Sequence, residues 1–185
     1  CVLAIGSRLQ DFTTGSNTLF TQAELIGINA NAFDGVKHRT LTVEADARLA
    51  LEALAERLQG WHADRAWTAR AHKLAASWRD TVSTLTHAPQ RETVLPYEGD
   101  VIGAVQRSSA ASDKDDIVVC AAGTLPAELH KLWRAGRPGA YHVEYGYSCM
   151  GYEIAGGLGV KLARPEREVI VMVGDGSYLM MNSEI

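Results

Sequence analysis

Hydrophobic positions along the chain fall into short apolar runs, separated by longer stretches with helical spacing. The apolar runs predict buried β-strands at 2–5, 25–28, 41–43, 117–122 and 168–173. Apolar residues three or four positions apart predict amphipathic helices at 47–58, 66–85, 97–108, 125–133 and 150–163. Because strands that alternate with helices favour parallel sheets with covered faces, we expect an α/β fold.

Polar stretches rich in glycine, serine and threonine separate these elements. We interpret residues 7–17, 29–37, 109–116 and 134–149 as loops, and residues 86–99 as a linker at a domain boundary. The expected organisation is a first domain over residues 1–60, a helical linker over 61–96 and a second domain over 97–185. Trp67 and Trp78 lie on one apolar stripe of the helix at 66–85, which predicts that they pack in a core or between domains.

Composition excludes several classes of protein. Hydrophobic residues make up 46% and charged residues 22% of the sequence, which is typical of a globular protein and excludes a disordered chain. The net charge of -4 includes no basic excess, so we expect neither nucleic acid nor an anionic membrane surface as a partner. No apolar run approaches the roughly 18 residues that a membrane-spanning helix needs.

The cysteines and the two ends of the chain suggest where the protein works and what it is part of. Cys1, Cys120 and Cys149 lack the spacing of metal ligands and are too few for a disulfide framework, which favours a reducing, cytoplasmic location. Residues 1–6 have the pattern of a strand entered midway, and residues 182–185 that of a helix about to begin. We therefore expect the sequence to be an internal fragment of a longer protein.

The clearest candidate site is the turn after the last apolar run, formed by Gly174, Asp175, Gly176 and Ser177. Glycines let a ligand approach the backbone closely and leave N–H groups free for phosphate oxygens, and a carboxylate is a ligand that Mg²⁺ prefers. An ordinary Asp-Gly turn has the same residues. The triplet alone therefore leaves open whether this is a structural turn or a metal–diphosphate site.

A second glycine turn favours the functional interpretation. The strand at 117–122 is followed by Gly123 and Thr124, and parallel pairing would bring this turn and Gly174 to the same carboxyl edge of one sheet. Open α/β sheets bind ligands at that edge. With one carboxylate and no Gly-Lys-Ser/Thr phosphate loop, the pattern indicates a metal–diphosphate site rather than a nucleoside triphosphatase.

Three other patterns carry weaker signals. Gly156, Gly157 and Gly159 resemble part of a dinucleotide fingerprint but lie within a predicted helix, where small residues favour close packing on a sheet. A phosphatase of the haloacid dehalogenase type would need an Asp-x-Asp motif at the end of an apolar strand, whereas Asp113 and Asp115 precede theirs. The six histidines show no metal-ligand spacing.

Several segments carry a resemblance to a known family. The turn at 174–177, with the residues up to Ile185, resembles the first half of the thiamine diphosphate motif, in which Gly-Asp-Gly precedes a later asparagine. The segment 145–151 is similar to the loop that this family places under the aminopyrimidine ring of the cofactor. Within the family, residues 7–15, 139–146 and 148–156 most resemble the members that open a trihydroxylated cyclohexane-1,2-dione in inositol catabolism.

This resemblance covers essentially the whole chain and implies a domain assignment. Residues 1–60 would be the end of a Rossmann-like middle domain, and residues 97–185 the first half of the parallel-sheet domain that binds thiamine diphosphate. The cofactor-binding residues that it implies are Gly123, Thr124, Leu125, Ser148, Met150, Gly174, Asp175, Gly176 and Ser177.

Individual roles follow from the same resemblance. Asp175 would ligate Mg²⁺, and the backbone of Gly176 and Ser177 would hold the diphosphate. Met150 would force the cofactor into its bent form, and the backbone carbonyl at Ser148 would accept from its 4′-amino group. No catalytic side chain is expected here: the activating glutamate would lie upstream of Cys1, in a neighbouring subunit, and the second side-chain ligand of Mg²⁺ beyond residue 185.

The implied reaction is a hydrolytic C–C cleavage that converts the cyclic dione to 5-deoxy-glucuronate, in a homodimer or homotetramer with active sites shared between subunits. Two alternatives remain: an acetohydroxyacid synthase-like carboligase, whose middle domain binds FAD, and a non-catalytic domain fragment. His142, Glu144 and Tyr145 lie near the cofactor loop, where packing or surface roles are expected before substrate contact.

Overall fold

The computed structural model describes residues 1–87, 95–111 and 116–185 and consists of two compact units, Cys1–Asp64 and Arg65–Ile185. Each unit has one three-stranded parallel sheet with helices, which confirms the expected α/β class. Asp113 and Asp115 lie outside the described residues, as do parts of the loop expected at 109–116 and of the expected linker. No helix in the three described ranges is long and apolar enough to cross a lipid bilayer.

The first unit alternates strands with short helices. Its elements are β1 (Val2–Ile5), α1 (Asp11–Thr14), β2 (Leu25–Asn29), α2 (Ala32–Gly35), β3 (Leu41–Glu44) and α3 (Ala47–Arg57). The strands run parallel in the order β1-β2-β3. Asp46 explains where α3 begins, because its carboxylate accepts the N–H groups of Arg48 and Leu49 at 3.0 and 3.1 Å and so satisfies two free donors of the first turn.

The second unit contains the larger hydrophobic core. Its elements are α4 (Arg65–Thr86), α5 (Glu98–Ala111), β4 (Ile117–Cys120), α6 (Thr124–Leu132), β5 (Tyr141–Val143), α7 (Tyr152–Ala163), β6 (Val169–Val171) and α8 (Asp175–Met181). The sheet order is β5-β4-β6, with Val118 of β4 opposite both Tyr141 and Ile170. All four residues of β4 are buried, as expected for a central parallel strand.

Helices on the sheet bury this central strand. The core cluster comprises Val82, Ile102, Val118, Cys120, Leu129, Leu132 and Met172. Each fully buried aliphatic side chain of this kind stabilises the fold by about 1.5–3 kcal/mol. The carboxyl end of β4 is therefore held from several directions, which fixes the position of the residues that follow it.

The predicted parallel pairing of the strands at 117–122 and 168–173 is confirmed, although both strands are shorter than predicted. The prediction of an uninterrupted loop over 134–149 is wrong, because β5 lies within it and pairs with β4. Only three residues long and with a histidine at its centre, β5 offers no apolar run for sequence analysis to detect.

Single-turn helices account for the other differences. The loops expected at 7–17 and 29–37 contain α1 and α2, and a 3₁₀ turn follows at Lys37–Arg39. One turn is too short to show a helical period, although Asn31 caps α2 by accepting the N–H of Phe33 at 3.0 Å. A helix was expected to start near residue 182, whereas α8 begins at Asp175, directly after the glycine turn.

The helix of the expected linker belongs to the second unit, where α4 packs against α5 and α6. Val82 and Thr86 are its buried residues. Trp67 is 66% and Trp78 47% exposed, so the prediction that they pack in a core is wrong within this unit. Packing of these tryptophans between domains stays a prediction.

Two glycines of α7 are expected to respond oppositely to alanine. A Cβ at Gly157 would overlap Cγ2 of Val171 on β6, whereas a Cβ at Gly159 would meet no heavy atom within 4 Å. We expect Gly157→Ala to lower the free energy of unfolding by about 1–3 kcal/mol, since the helix must move off the sheet. Gly159→Ala should raise it by roughly 0.5–1 kcal/mol through helix propensity. Urea denaturation measures both, and equal effects would contradict the packing described.

Candidate functional site

Two glycine turns lie side by side at one edge of the sheet in the second unit. β4 and β6 are neighbouring parallel strands, and Gly123 and Gly174 directly precede α6 and α8. The Met172 N–H donates to the Val119 carbonyl at 2.9 Å. This hydrogen bond extends the pairing of β4 and β6 beyond the last residue of β6, toward the two turns. The prediction that both turns emerge at the same carboxyl edge is confirmed.

The turn at Gly123 requires glycine for its backbone conformation. Gly123 has φ 125° and ψ -176°, a region that side-chain-bearing residues essentially do not occupy. Lack of space is not what requires glycine at this position, because a Cβ there would only touch Cδ of Pro126 at 3.7 Å. The turn leads into Thr124, Leu125 and the buried Pro126. Proline fits the first turn of a helix because the N–H groups there have no acceptor within the helix, so the missing N–H costs no hydrogen bond.

The turn at 174–177 places an exposed carboxylate beside backbone N–H groups. Oδ1 of Asp175 accepts the N–H of Gly176 at 2.8 Å, which orients the side chain across its own turn. Ser177 is buried, and the N–H of Tyr178 donates to the Gly174 carbonyl at 2.9 Å. In front of Gly174 the space is open, since a Cβ there would meet no heavy atom within 4 Å.

The segment 144–151 packs against this second turn. A Cβ on Gly176 would lie 3.2 Å from Cε of Met150, so the methionine side chain reaches the glycine turn. Gly151 has φ +91°, and a Cβ there would overlap Cγ of Met181 at the end of α8. The structure thus brings Met150 and Gly176, two of the predicted cofactor-binding residues, into contact.

Glu144 holds the middle of this segment through two backbone amides. Its Oε1 accepts the N–H of Tyr147 at 3.0 Å, and its Oε2 accepts the N–H of Cys149 at 2.6 Å. Between them, Ser148 has φ +53°, a left-handed conformation that costs a residue other than glycine roughly 1 kcal/mol or more. The hydrogen bonds from Cys149 and then Tyr147 lower the pKa of Glu144, because they favour its charged form.

This shift gives the order of the segment a pH dependence with a definite sign. A carboxyl group whose pKa is lowered by folding stabilises the folded arrangement above its unfolded pKa, and that contribution is lost as the pH falls through the folded value. We therefore expect the amide resonances of Tyr147 and Cys149 to be constant at neutral pH and to shift together below the usual range of a glutamate. A transition of these amides at neutral pH would contradict this prediction.

A second glutamate, Glu153, lies fully buried beneath the same segment. Its Oε2 accepts the N–H of Gly151 at 2.9 Å, and its Oε1 has no hydrogen-bond partner within the described part of the chain. The neighbouring Cys120 thiol donates to the hydroxyl oxygen of Tyr141 at 3.3 Å. Burial raises the pKa of Cys120, and the charge of Glu153 acts in the same direction. This role of Glu153 could not be predicted from the sequence, because nothing in its spacing indicates burial.

Tyr145 and His142, the other two residues considered near the expected cofactor loop, have neighbours outside the segment 144–151. Tyr145 meets the ring of His130 edge to face at 5.4 Å between centroids. His142 lies in β5 and lines a cavity of about 520 Å³ together with Arg137 and Arg164, among other residues. Of the three residues considered near the expected cofactor loop, Glu144 bonds two backbone amides of that segment.

The turn at 174–177 has one side chain that could hold a metal ion, the carboxylate of Asp175. Asp175 is exposed, and its second oxygen, Oδ2, is suited to a cation while Oδ1 bonds Gly176. Within residues 1–87, 95–111 and 116–185, no three His, Cys, Asp or Glu residues cluster closely enough to hold a metal ion. Mg²⁺ commonly combines one or two carboxylates with phosphate oxygens and water, so a single carboxylate here fits a metal held jointly with its ligand.

Comparison with known proteins gives a consistent result. Residues 121–185 match the family described as thiamine pyrophosphate enzyme, C-terminal TPP binding domain, thiamine pyrophosphate being another name for thiamine diphosphate. The whole chain is 38% identical over 200 residues to the 3D-(3,5/4)-trihydroxycyclohexane-1,2-dione hydrolase of Geobacillus thermodenitrificans and 39% identical over 207 residues to that of Bacillus anthracis. The hydrolase of the same name from Clostridium perfringens is 38% identical over 204 residues.

The chain spans about a third of the length of these relatives, with 31% of the Geobacillus protein and 32% of each of the other two covered. The family match begins at the end of β4 and includes both glycine turns and the segment between them. The α/β fold and the paired glycine turns agree with these similarities: residues 121–185 match the C-terminal TPP binding domain of thiamine pyrophosphate enzymes, and the whole chain is similar to the three hydrolases named above.

Proposed function

We propose that this chain is part of an enzyme that uses thiamine diphosphate and Mg²⁺ to cleave the ring of 3D-(3,5/4)-trihydroxycyclohexane-1,2-dione by hydrolysis, giving 5-deoxy-glucuronate. The observation that carries the proposal is the pairing of two glycine turns at one sheet edge, with the exposed carboxylate of Asp175 at the second. The names of the three relatives support the choice of substrate.

Each residue of the site has a proposed part in holding the cofactor. Asp175 ligates Mg²⁺, and the backbone at 174–177 faces the diphosphate, because the space in front of Gly174 is open and backbone N–H groups at such a turn suit phosphate oxygens. Gly123, Thr124 and Leu125 line the other side. Met150 supports the bent cofactor from the segment that touches Gly176, and the carbonyl of Ser148 accepts from its amino group.

When bound, the cofactor supplies a nucleophilic carbon and an electron sink for breaking the C–C bond. The residues of this chain contribute orientation and exclusion of water around it. A substrate with several hydroxyl groups also requires polar partners, because a site built to bond hydroxyls rejects apolar ketones. In the proposed assignment, those partners and the activating glutamate come from other parts of the protein or from a neighbouring subunit of a homodimer or homotetramer.

The domain assignment is part of the same proposal. Residues 1–60 form the end of the middle domain and 97–185 the first part of the diphosphate-binding domain, with 61–96 as the connection whose helix α4 packs within the second unit. A cytoplasmic location is proposed as well, because all three cysteines are free thiols, as in reducing compartments.

The test is an assay of the full-length protein on two substrates, with Mg²⁺ and thiamine diphosphate added. We expect consumption of the trihydroxylated cyclohexanedione and no carboligation of pyruvate. Product formation from pyruvate alone would instead support an acetohydroxyacid synthase-like enzyme, for which FAD should then be sought. The 185-residue chain by itself should show no turnover, because in the proposed assignment the activating glutamate comes from another part of the protein.

A further inference from the structure

Every second backbone amide from residue 147 to residue 151 donates to a glutamate carboxylate. The N–H groups of Tyr147 and Cys149 bond Glu144, at 3.0 and 2.6 Å, and the N–H of Gly151 bonds Glu153 at 2.9 Å. The residues between these anchored amides are Ser148 and Met150, which are the two residues of this segment with a proposed cofactor contact.

We propose that Glu144 is a positioning residue that aims the Ser148 carbonyl at the aminopyrimidine of thiamine diphosphate. The inference rests on the proposed function and deepens it, because it assigns the orientation of a cofactor-binding group to a side chain that does not itself touch the cofactor.

The geometry of the peptide bond supplies the mechanism. The Ser148 carbonyl and the Cys149 N–H belong to one planar trans peptide unit, in which C=O and N–H point in opposite directions. Fixing the Cys149 N–H on Oε2 of Glu144 therefore directs the Ser148 carbonyl away from Glu144. A donor bonded to an anion also polarises its peptide unit, which makes the carbonyl oxygen a better acceptor.

Two further observations indicate that the segment needs this support. Ser148 has φ +53°, so the backbone would relax to a commoner conformation without a restraint on both sides. Glu144 supplies that restraint because its two oxygens bond the N–H groups of the two residues on either side of Ser148, Tyr147 and Cys149. Glu153 then anchors the far end at Gly151 from a fully buried position.

Substitution of Glu144 in the full-length protein tests the proposal. Glu144→Gln keeps the size of the side chain but leaves one acceptor oxygen, so one of the two amides loses its partner. Glu144→Asp keeps the charge but is one methylene shorter and should not span both amides. The matched control is Glu128→Gln, which makes the same chemical change in an exposed pair with Lys131 on α6.

Two measurements are made, the first without cofactor. Hydrogen exchange of the peptide covering residues 145–151 should accelerate about tenfold or more in both Glu144 variants, as expected for loss of a charge-assisted hydrogen bond, and stay unchanged in Glu128→Gln. Titration with thiamine diphosphate and Mg²⁺ should show affinity weakened by about tenfold in both Glu144 variants. Melting temperatures close to that of the unsubstituted protein would confirm that the fold is retained.

The outcomes separate this inference from the proposed function. Unchanged exchange in Glu144→Gln would overturn the anchoring, and faster exchange with unchanged cofactor affinity would overturn the positioning role. If Glu144→Asp binds thiamine diphosphate as tightly as the unsubstituted protein, the negative charge alone sustains the affinity and the bridge between two amides is not needed. That result would also overturn the positioning role. If the unsubstituted protein binds no thiamine diphosphate, the proposed function itself fails, whatever the exchange data show.

Discussion

Replacing Asp175 with alanine is expected to abolish Mg²⁺-dependent binding of thiamine diphosphate by the full-length protein. The carboxylate is exposed at the second glycine turn, and the described residues contain no cluster of three His, Cys, Asp or Glu that could hold the ion in its place. Loss of the charged ligand from the proposed Mg²⁺ site should remove the Mg²⁺-dependent part of the affinity, about 100-fold or roughly 2.7 kcal/mol. Titration calorimetry in Mg²⁺ and in a chelator measures this difference.

The asparagine variant separates metal binding from turn structure. Asp175→Asn keeps an oxygen that can accept the Gly176 N–H, as Oδ1 does at 2.8 Å, but it carries no charge. We expect it to bind as weakly as the alanine variant, because the ion needs the charge. If asparagine restores the affinity, Asp175 acts through the shape of its turn, and the metal assignment is wrong.

Gly123→Ala is expected to produce the second large effect. Gly123 has φ 125° and ψ -176°, and holding alanine there should cost about 1–3 kcal/mol, or else the turn must change its path. Because the turn forms one side of the proposed diphosphate site, cofactor affinity should fall by about tenfold or more. Titration with thiamine diphosphate and thermal denaturation of the same sample measure the two effects.

Gly136→Ala is the matched control, because Gly136 lies in the same unit without a left-handed φ and with no heavy atom within 4 Å of a Cβ. It should leave both the melting temperature and the cofactor affinity unchanged. A loss of stability in Gly123→Ala without any loss of affinity would place the turn outside the diphosphate site.

The strands that position the site could be predicted, because a strand buried on both faces of a sheet is a continuous run of apolar residues in the sequence. β4 and β6 lie within continuous apolar runs that end at glycines, and the rules of parallel α/β folds then bring those glycines together. Their exact ends could not be predicted, since apolar residues such as Met172 continue past the last paired residue while remaining in the core.

The supporting residues could not be predicted for a physical reason. Glu144 and Glu153 are both glutamates flanking one segment, yet one lies partly exposed and the other is fully buried. Their roles depend on backbone amides that are near in space, and no side-chain periodicity records where an amide points. The exposure of Trp67 and Trp78 could not be predicted either. An apolar stripe on a helix indicates that the stripe is suited to packing, but not which other element packs against it.

The close approach of α7 to β6 at Gly157 has a consequence for redesigning the proposed cofactor site. α7 follows the segment that carries Met150, and β6 leads into the turn that contains Gly176, so the helix–strand spacing helps set the gap between those two residues. A larger residue at position 157 should widen the gap without changing Met150 or Gly176 themselves. A library intended to accept bulkier cofactor analogues should therefore vary position 157, and it should include Gly159→Ala to offset the lost stability.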